Sequence, residues 1–401
     1  MNYRIADRMV SVRQSLIREI FKKTAKDPSI ISFAIGNPDP VTFPAEDIAR
    51  ISHDILTKEP NSVLQYGPSE GIAPLREHLK RYLWEKERIS FDNNELFILS
   101  GGQQCADLTA KILCNEGDTV VVEAPSFVGC MNAFRSYGAR LAGVPMEPDG
   151  VNLEALEREF AKGNIAFFYT IPSFQNPTGY TTSKEKRRRI YELAQKYDVM
   201  ILEDNPYGEL RFAGEYVPPI KSLDTDGRVI YAGSFAKVIA PSFRLGFLAF
   251  PKELIDRFTV AKQVTDVQST LLFQRIAAAY MTQCDYDAHI RANCEVYREK
   301  CALMLSEMEK RFHPSVRFNR PQGGMFVMAF LPQGVDSRPF VDEAVRRGVA
   351  CVPGAAFEVD PSKAVSGFRM NFAAPSRENI VKGIGILGEL THEWLRNEKG
   401  E

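Results

Sequence analysis

Lysine 237 follows directly on the apolar run RVIYAGSFA. An ammonium gains nothing at the end of a buried strand, and amines placed there can have lowered pKa values and can form Schiff bases. Seven residues on, Arg244 precedes a second apolar run, where a planar guanidinium can grip a phosphate with two hydrogen bonds. Three further sites sit just past strand-like runs. Ser100-Gly101-Gly102-Gln103-Gln104 follows ELFIL and opens a helix. Its glycines admit a close backbone approach, and its free N–H groups favour an anion. Ser173-Phe174-Gln175-Asn176-Pro177-Thr178-Gly179 follows IAFFYTIP and sets an amide at a sharp turn. Asp204 ends VMILED, with Tyr207 three residues beyond. A carboxylate there must find a partner, because unpaired burial is expensive. Taken singly, each has a plainer reading: a linker turn, an Asn-Pro turn, a structural salt bridge, a surface lysine.

Such sites need a common edge. ELFILS (95–100), DTVVVEAP (118–125), RLAGVP (140–145), IAFFYTIP (165–172), VMILED (199–204), RVIYAGS (228–234) and RLGFLAF (244–250) read as strands, most of them separated by helical patterns. Near-continuous apolar runs without strict alternation suit a mainly parallel sheet covered on both faces, so the expected class is α/β. Ligands collect at the carboxyl ends of such strands. After Pro251 the pattern changes to long helical stretches at about 252–311, strand-like FVMAFLP and VACVPG, and a closing amphipathic helix near 377–397, as in a smaller α+β domain. The charge run KEKRRR (184–189) opens a helix whose Ile190, Leu193 and Ala194 turn inward, so its charges are expected on a solvated face.

Composition narrows the function classes. Fifty basic and 51 acidic side chains leave a charge of −1 over 401 residues, without the positive field that nucleic acid requires. The length calls for two domains. Arg8, Arg13, Arg18 and Glu19 break up the N-terminal apolar residues, and no run is long enough to span a membrane. Seven cysteines without CxxC spacing and five scattered histidines predict reduced thiols in a cytoplasm and no metal site.

The conjunction points further than its parts. A carbonyl-capturing amine, a carboxylate, an amide with a phenol, and a phosphate cup at successive strand ends are what pyridoxal 5′-phosphate requires. With SLIREIFK, ISFAIGNPDPVTFP, LQYGPSEGIAPLRE, SGGQQ, EAPSFVG, QNPTG, EDNPYGEL, GSFAKVIAPSFRLG and GFRMNFA, the chain resembles the fold-type I pyridoxal-phosphate aminotransferases of the aspartate aminotransferase superfamily over nearly its full length. Within them it is similar to the branch of 2-aminoadipate and kynurenine aminotransferases and MocR-like regulators.

That resemblance implies a large domain (49–280) with a mainly parallel seven-stranded sheet between helices, a small α+β domain (281–401), and an N-terminal segment (1–48) that joins the small domain and covers the active site. It implies that Lys237 holds the cofactor covalently, that Asp204 pairs with the ring nitrogen, and that Asn176 and Tyr207 bond its phenolic oxygen. Phe127 would stack on the ring. Gly102, Gln103, Ser234 and Arg244 would hold the phosphate, and Tyr66 would reach the phosphate of a partner subunit, giving a homodimer with shared active sites. Arg369 in GFRMNF would fork onto the substrate α-carboxylate, with Gly36, Asn37 and Asn176 beside it and Arg18 meeting a distal carboxylate. Two departures stand out: Ala236 where many relatives carry Ser or Thr, and Gly102 where some carry a hydroxyl residue. The implied reaction is ping-pong transamination between an L-amino acid (glutamate, 2-aminoadipate, or one with an aromatic or apolar side chain) and a 2-oxo acid, expected to be 2-oxoglutarate. A β-lyase of the same fold is the alternative. A MocR-like effector-binding protein is disfavoured, because the pattern starts almost at residue 1 and leaves no room for a winged helix. A dinucleotide-binding oxidoreductase lacks its glycine fingerprint.

Overall fold

The computed structural model describes residues 3–10, 12, 20 and 27–397. Its largest sheet has eight strands, in the order Asn94–Leu99, Gly246–Pro251, Val229–Ser234, Met200–Asn205, Ile165–Thr170, Thr119–Ala124, Arg140–Glu147 and Gly150–Val151. These are the seven expected strands plus a two-residue edge strand. The five from 229–234 through 140–147 run parallel, and Gly246–Pro251 is antiparallel to both of its neighbours. Alternate residues feed separate cores. Val121, Phe168 and Ile201 pack with Leu156, Ile190 and Leu193, whereas Val120, Phe167 and Leu202 join the main core. Burial on both faces is why these strands read as unbroken apolar runs.

The charge run behaves differently from its expectation. Lys184, Arg188 and Arg189 are exposed, but Arg187 is 2% exposed. It lies three, four and seven residues before the buried Ile190, Tyr191 and Ala194, on the inward stripe of helix Lys184–Lys196. Its guanidinium donates to Pro172 O (2.8 Å), Ser173 Oγ (2.9 Å) and Pro218 O (3.0 Å), which offsets its desolvation.

The helical stretch after Pro251 resolves into Ile255–Thr265, Leu271–Gln283 and Tyr286–Arg311. A four-stranded antiparallel sheet follows, in the order Arg317–Phe318, Phe326–Phe330, Gly367–Asn371 and Val352–Pro353. VACVPG, read as one strand, divides at Cys351: Val349–Ala350 pairs parallel with Ile31–Ser32, and Val352–Pro353 pairs with 367–371. The segment after Ser32 is stitched down by Phe33 N–H to Ala350 O (2.7 Å), Asn371 N–H to Phe33 O (2.7 Å) and a Lys300–Asp39 ion pair.

Candidate active site

At the carboxyl ends of the parallel strands lies a cleft of about 310 Å³. Gly36, Gly102, Gln103, Phe127, Asn176, Asp204, Tyr207, Ser234, Lys237, Arg244 and Arg369 line it together. The remaining sequence candidates lie elsewhere. Asn37 is exposed and turns its carbonyl to Asn371 Nδ2 (3.0 Å). Tyr66 is 82% exposed, away from this chain's own cleft. Arg18 lies outside the described residues.

Lys237 ends a 3-10 turn, Phe235–Lys237, capped by Ser234 Oγ, which accepts from Ala236 N–H (3.2 Å). Its Nζ donates to Gly36 O (2.8 Å). Burial, reinforced by the positive Arg369 and Arg244, lowers its pKa to about 8. Asp204 Oδ2 accepts from the Tyr169 hydroxyl (2.8 Å), with Cys130 Sγ at 4.0 Å. Burial pushes its carboxyl up to about 6, while the tyrosine bond pulls the other way.

Arg369 is 2% exposed. Nη1 donates to Asn176 Oδ1 (2.7 Å) and Nη2 to Ala34 O (2.6 Å). The guanidinium lies 4.3 Å from the Phe326 ring centroid and 4.8 Å from that of Phe357, so its plane is fixed by aromatic faces. Burial lowers its pKa to about 10, and Nε is buried without a partner. Asn176 Nδ2 in turn donates to the Tyr207 hydroxyl (3.4 Å), whose pKa burial raises.

The anion side is built from backbone. Helix Gly102–Leu113 starts at Gly101 with no side-chain cap, leaving first-turn N–H groups at the cleft. Gly101 has φ +84°, and a Cβ there would stand 2.6 Å from Arg244 Nη2. Only glycine lets this turn and that guanidinium share the space. A neutralisable amine, an acceptor carboxylate, an amide–phenol pair and a guanidinium beside free N–H groups fit pyridoxal 5′-phosphate, and the orphaned Arg369 Nε leaves a donor for a carboxylate.

Sequence reasoning missed Tyr169, Phe326 and Phe357. None stands in a punctuated motif; they reach the site from strand and turn interiors, and only the three-dimensional neighbourhood reveals them.

The family described as Aminotransferase class I and II matches residues 28–387. The chain is 38% identical over 396 residues, 98% of its length and 94% of the relative's, to aromatic-amino-acid aminotransferase 1 of Thermococcus litoralis. It is similar to the crystal structure of a multiple substrate aminotransferase from Thermococcus profundus, with TM-score 0.93, 36% identity and 98% of each chain covered. It is also similar to the alpha-aminoadipate aminotransferase of Thermus thermophilus complexed with N-(5′-phosphopyridoxyl)-L-leucine, with TM-score 0.89, 33% identity and 98% of each chain covered.

Proposed function

The chain belongs to the class I and II aminotransferases and is a pyridoxal-phosphate-dependent enzyme of transamination, and from that premise we propose how its own residues divide the work. Bound pyridoxal 5′-phosphate supplies the electron sink that makes the Cα–H bond of an amino acid acidic. Lys237 would hold the cofactor, and its amine would be the group that moves the Cα proton. Its lowered pKa suits that task, because a base must be neutral to accept a proton. Asp204, held by Tyr169, keeps a proton on the ring nitrogen. Tyr207 and Asn176 hold the phenolic oxygen, Phe127 covers the ring, and Ser234, Arg244 and the N–H groups of Gly102 and Gln103 hold the phosphate. Arg369 grips the α-carboxylate between two phenyl rings that exclude water. The catalytic residues are Lys237, Asp204 and Tyr207.

The observation that carries this reading is the distribution of charge in one cleft. Three cations, Lys237, Arg244 and Arg369, share it with the single carboxylate of Asp204. Such a site suits a ligand with two anionic groups and an electrophile between them. The test is the absorption spectrum of the purified protein with cofactor. We expect a band of protein-bound pyridoxal phosphate that shifts when an L-amino acid is added and is abolished in Lys237→Ala. A spectrum of free cofactor in the native protein would sink the assignment.

The names of an aromatic-amino-acid aminotransferase and a 2-aminoadipate transaminase among the relatives support aromatic amino acids and 2-aminoadipate as donors; to these we add glutamate as a donor, 2-oxoglutarate as acceptor and a ping-pong cycle. The proposed large domain spans residues 49–280 and the small one begins at 281, with the 33–39 segment beside the site through Gly36. A homodimer accounts for an otherwise costly surface: Leu64 (71%), Tyr66 (82%), Val264 (71%) and Val267 (46%) are exposed, and Gly67 N–H reaches Gln268 Oε1, which brings these segments together. Tyr66 then extends to the partner's phosphate. All seven cysteines are free thiols, which supports a cytoplasmic setting. No helix among the described residues is long and apolar enough to cross a membrane.

A further inference from the structure

Glu123 is fully buried, one residue before the end of strand Thr119–Ala124, and follows Val120, Val121 and Val122. Burying a carboxylate is expensive, and here no lysine or arginine pairs with it among the described residues. It accepts three hydrogen bonds instead, all from one neighbouring segment: Thr170 Oγ1 (2.5 Å), Ile171 N–H (3.2 Å) and Gln175 Nε2 (3.0 Å). An apolar side chain would fill the same space at lower cost, so the carboxylate calls for a reason beyond packing.

Gln175 supplies the reason. Its Nε2 also donates to Pro125 O (2.8 Å), two residues beyond Glu123, and its Oε1 accepts from Thr178 N–H (2.9 Å) and Thr178 Oγ1 (2.8 Å). Every donor and acceptor of the carboxamide is used, in one orientation only. The ring Glu123–Gln175–Pro125 therefore bolts together two turns: 124–127, which presents Phe127, and 171–179, which presents Asn176. Asn176 is the acceptor that orients Arg369. We infer that Glu123 is a positioning residue, which sets the Gln175 carboxamide and through it the Asn176–Arg369 grip on the α-carboxylate. The link to substrate rests on the roles proposed above for Asn176 and Arg369; the link between the two turns does not.

The test compares Glu123→Leu, Glu123→Gln and Gln175→Leu in the full-length protein with bound cofactor, at a temperature well below every variant's Tm. The first readout is hydrogen exchange over residues 174–179. The Thr178 N–H is bonded to Gln175, not to Glu123, so a carboxylate that only fills space leaves it protected. We expect at least tenfold faster exchange there in Glu123→Leu and Gln175→Leu. The second readout is the KM for L-glutamate and for L-phenylalanine. Both should rise about tenfold while kcat falls less, because the shared α-carboxylate is what loses its grip. Glu123→Gln should restore both readouts to within about threefold: its carbonyl can accept from Ile171 and Gln175, and its amide can donate to the Thr170 hydroxyl. Unchanged exchange and KM in Glu123→Leu would overturn the inference, as would a Glu123→Gln variant no better than Glu123→Leu. If Glu123→Leu does not fold, Glu123→Ala decides by the same two readouts, with Gln175→Leu as the reference for complete loss of the Thr178 bonds. Faster exchange with an unchanged KM would instead sink the roles given to Asn176 and Arg369 and leave the bolt between the turns standing.

Discussion

Arg369 and Asn176 are joined by a 2.7 Å hydrogen bond that crosses from the four-stranded sheet to the turn beyond the eight-stranded one. The bond leaves the guanidinium with a buried, unpartnered Nε, in a plane set by Phe326 and Phe357. Arg369→Leu removes two or more charge-assisted bonds to a carboxylate, a loss of roughly 100- to 1000-fold in kcat/KM. Arg369→Lys keeps the charge but loses the planar fork, and should recover little of it. Steady-state kinetics with one amino acid and 2-oxoglutarate check this; a fully active lysine variant would contradict it.

Asp204 should show opposite effects on stability and activity. Its folded pKa lies near 6, above the unfolded 3.8, so the native state binds more protons between those values. Stability therefore falls as pH rises through that window, and the cost persists above it. Asp204→Asn removes the cost, and the cofactor-free variant should be up to about 3 kcal/mol more stable than native protein at pH 7. The same change removes the negative charge that favours a proton on the ring nitrogen and should lower kcat by roughly 100- to 1000-fold. Denaturant melts and kinetics measure the two effects separately.

Capture of pyridoxal phosphate by the cofactor-free protein should follow the neutral fraction of Lys237. With a pKa of about 8, the rate rises close to tenfold per unit below pH 8 and is flat above it. An ordinary lysine would still gain at pH 10. Stopped-flow absorbance across pH 6.5–10 distinguishes the two profiles.

Gly101→Ala should damage phosphate binding. The new Cβ would lie 2.6 Å from Arg244 Nη2, on a residue whose φ of +84° disfavours any side chain. Strain of about 1–3 kcal/mol and a displaced guanidinium follow. Cofactor affinity, titrated by fluorescence, should fall by at least about tenfold; a native Kd would refute the crowding argument.

A charge on the exposed apolar patch should break the assembly. Given the homodimer proposed above, Leu64→Asp paired with Val264→Asp is expected to convert it to monomers and to abolish most activity, since on that proposal Tyr66 would no longer reach a second site. Light scattering on the eluting protein decides between the two states.

Much of this site was legible in the sequence because its polar members stand directly after apolar runs. Lys237, Asn176 and Gly102 follow strands that the runs themselves announce, Asp204 is the penultimate residue of another, and strand ends converge in a parallel sheet. Phe326, Phe357 and Tyr169 were not legible. Aromatic residues inside strands and turns look like core until a folded neighbour, such as Arg369 or Asp204, gives them a second task. Arg187 shows the same limit from the other side: a basic run hid one member whose helical phase turns it inward, and its acceptors lie up to 31 residues away. The split at Cys351 depended on a strand pairing with residues 31–32, a partner more than 300 positions distant.

The carbonyls of Ala34 and Gly36 already occupy hydrogens on Arg369 and Lys237. A ligand that takes those same hydrogens competes with the protein's own main chain, whereas one bonded to the unpartnered Arg369 Nε does not. Both carbonyls belong to the 33–39 strap, which the Lys300–Asp39 ion pair ties down at its far end, so a ligand that displaces them takes contacts away from a segment anchored on both sides.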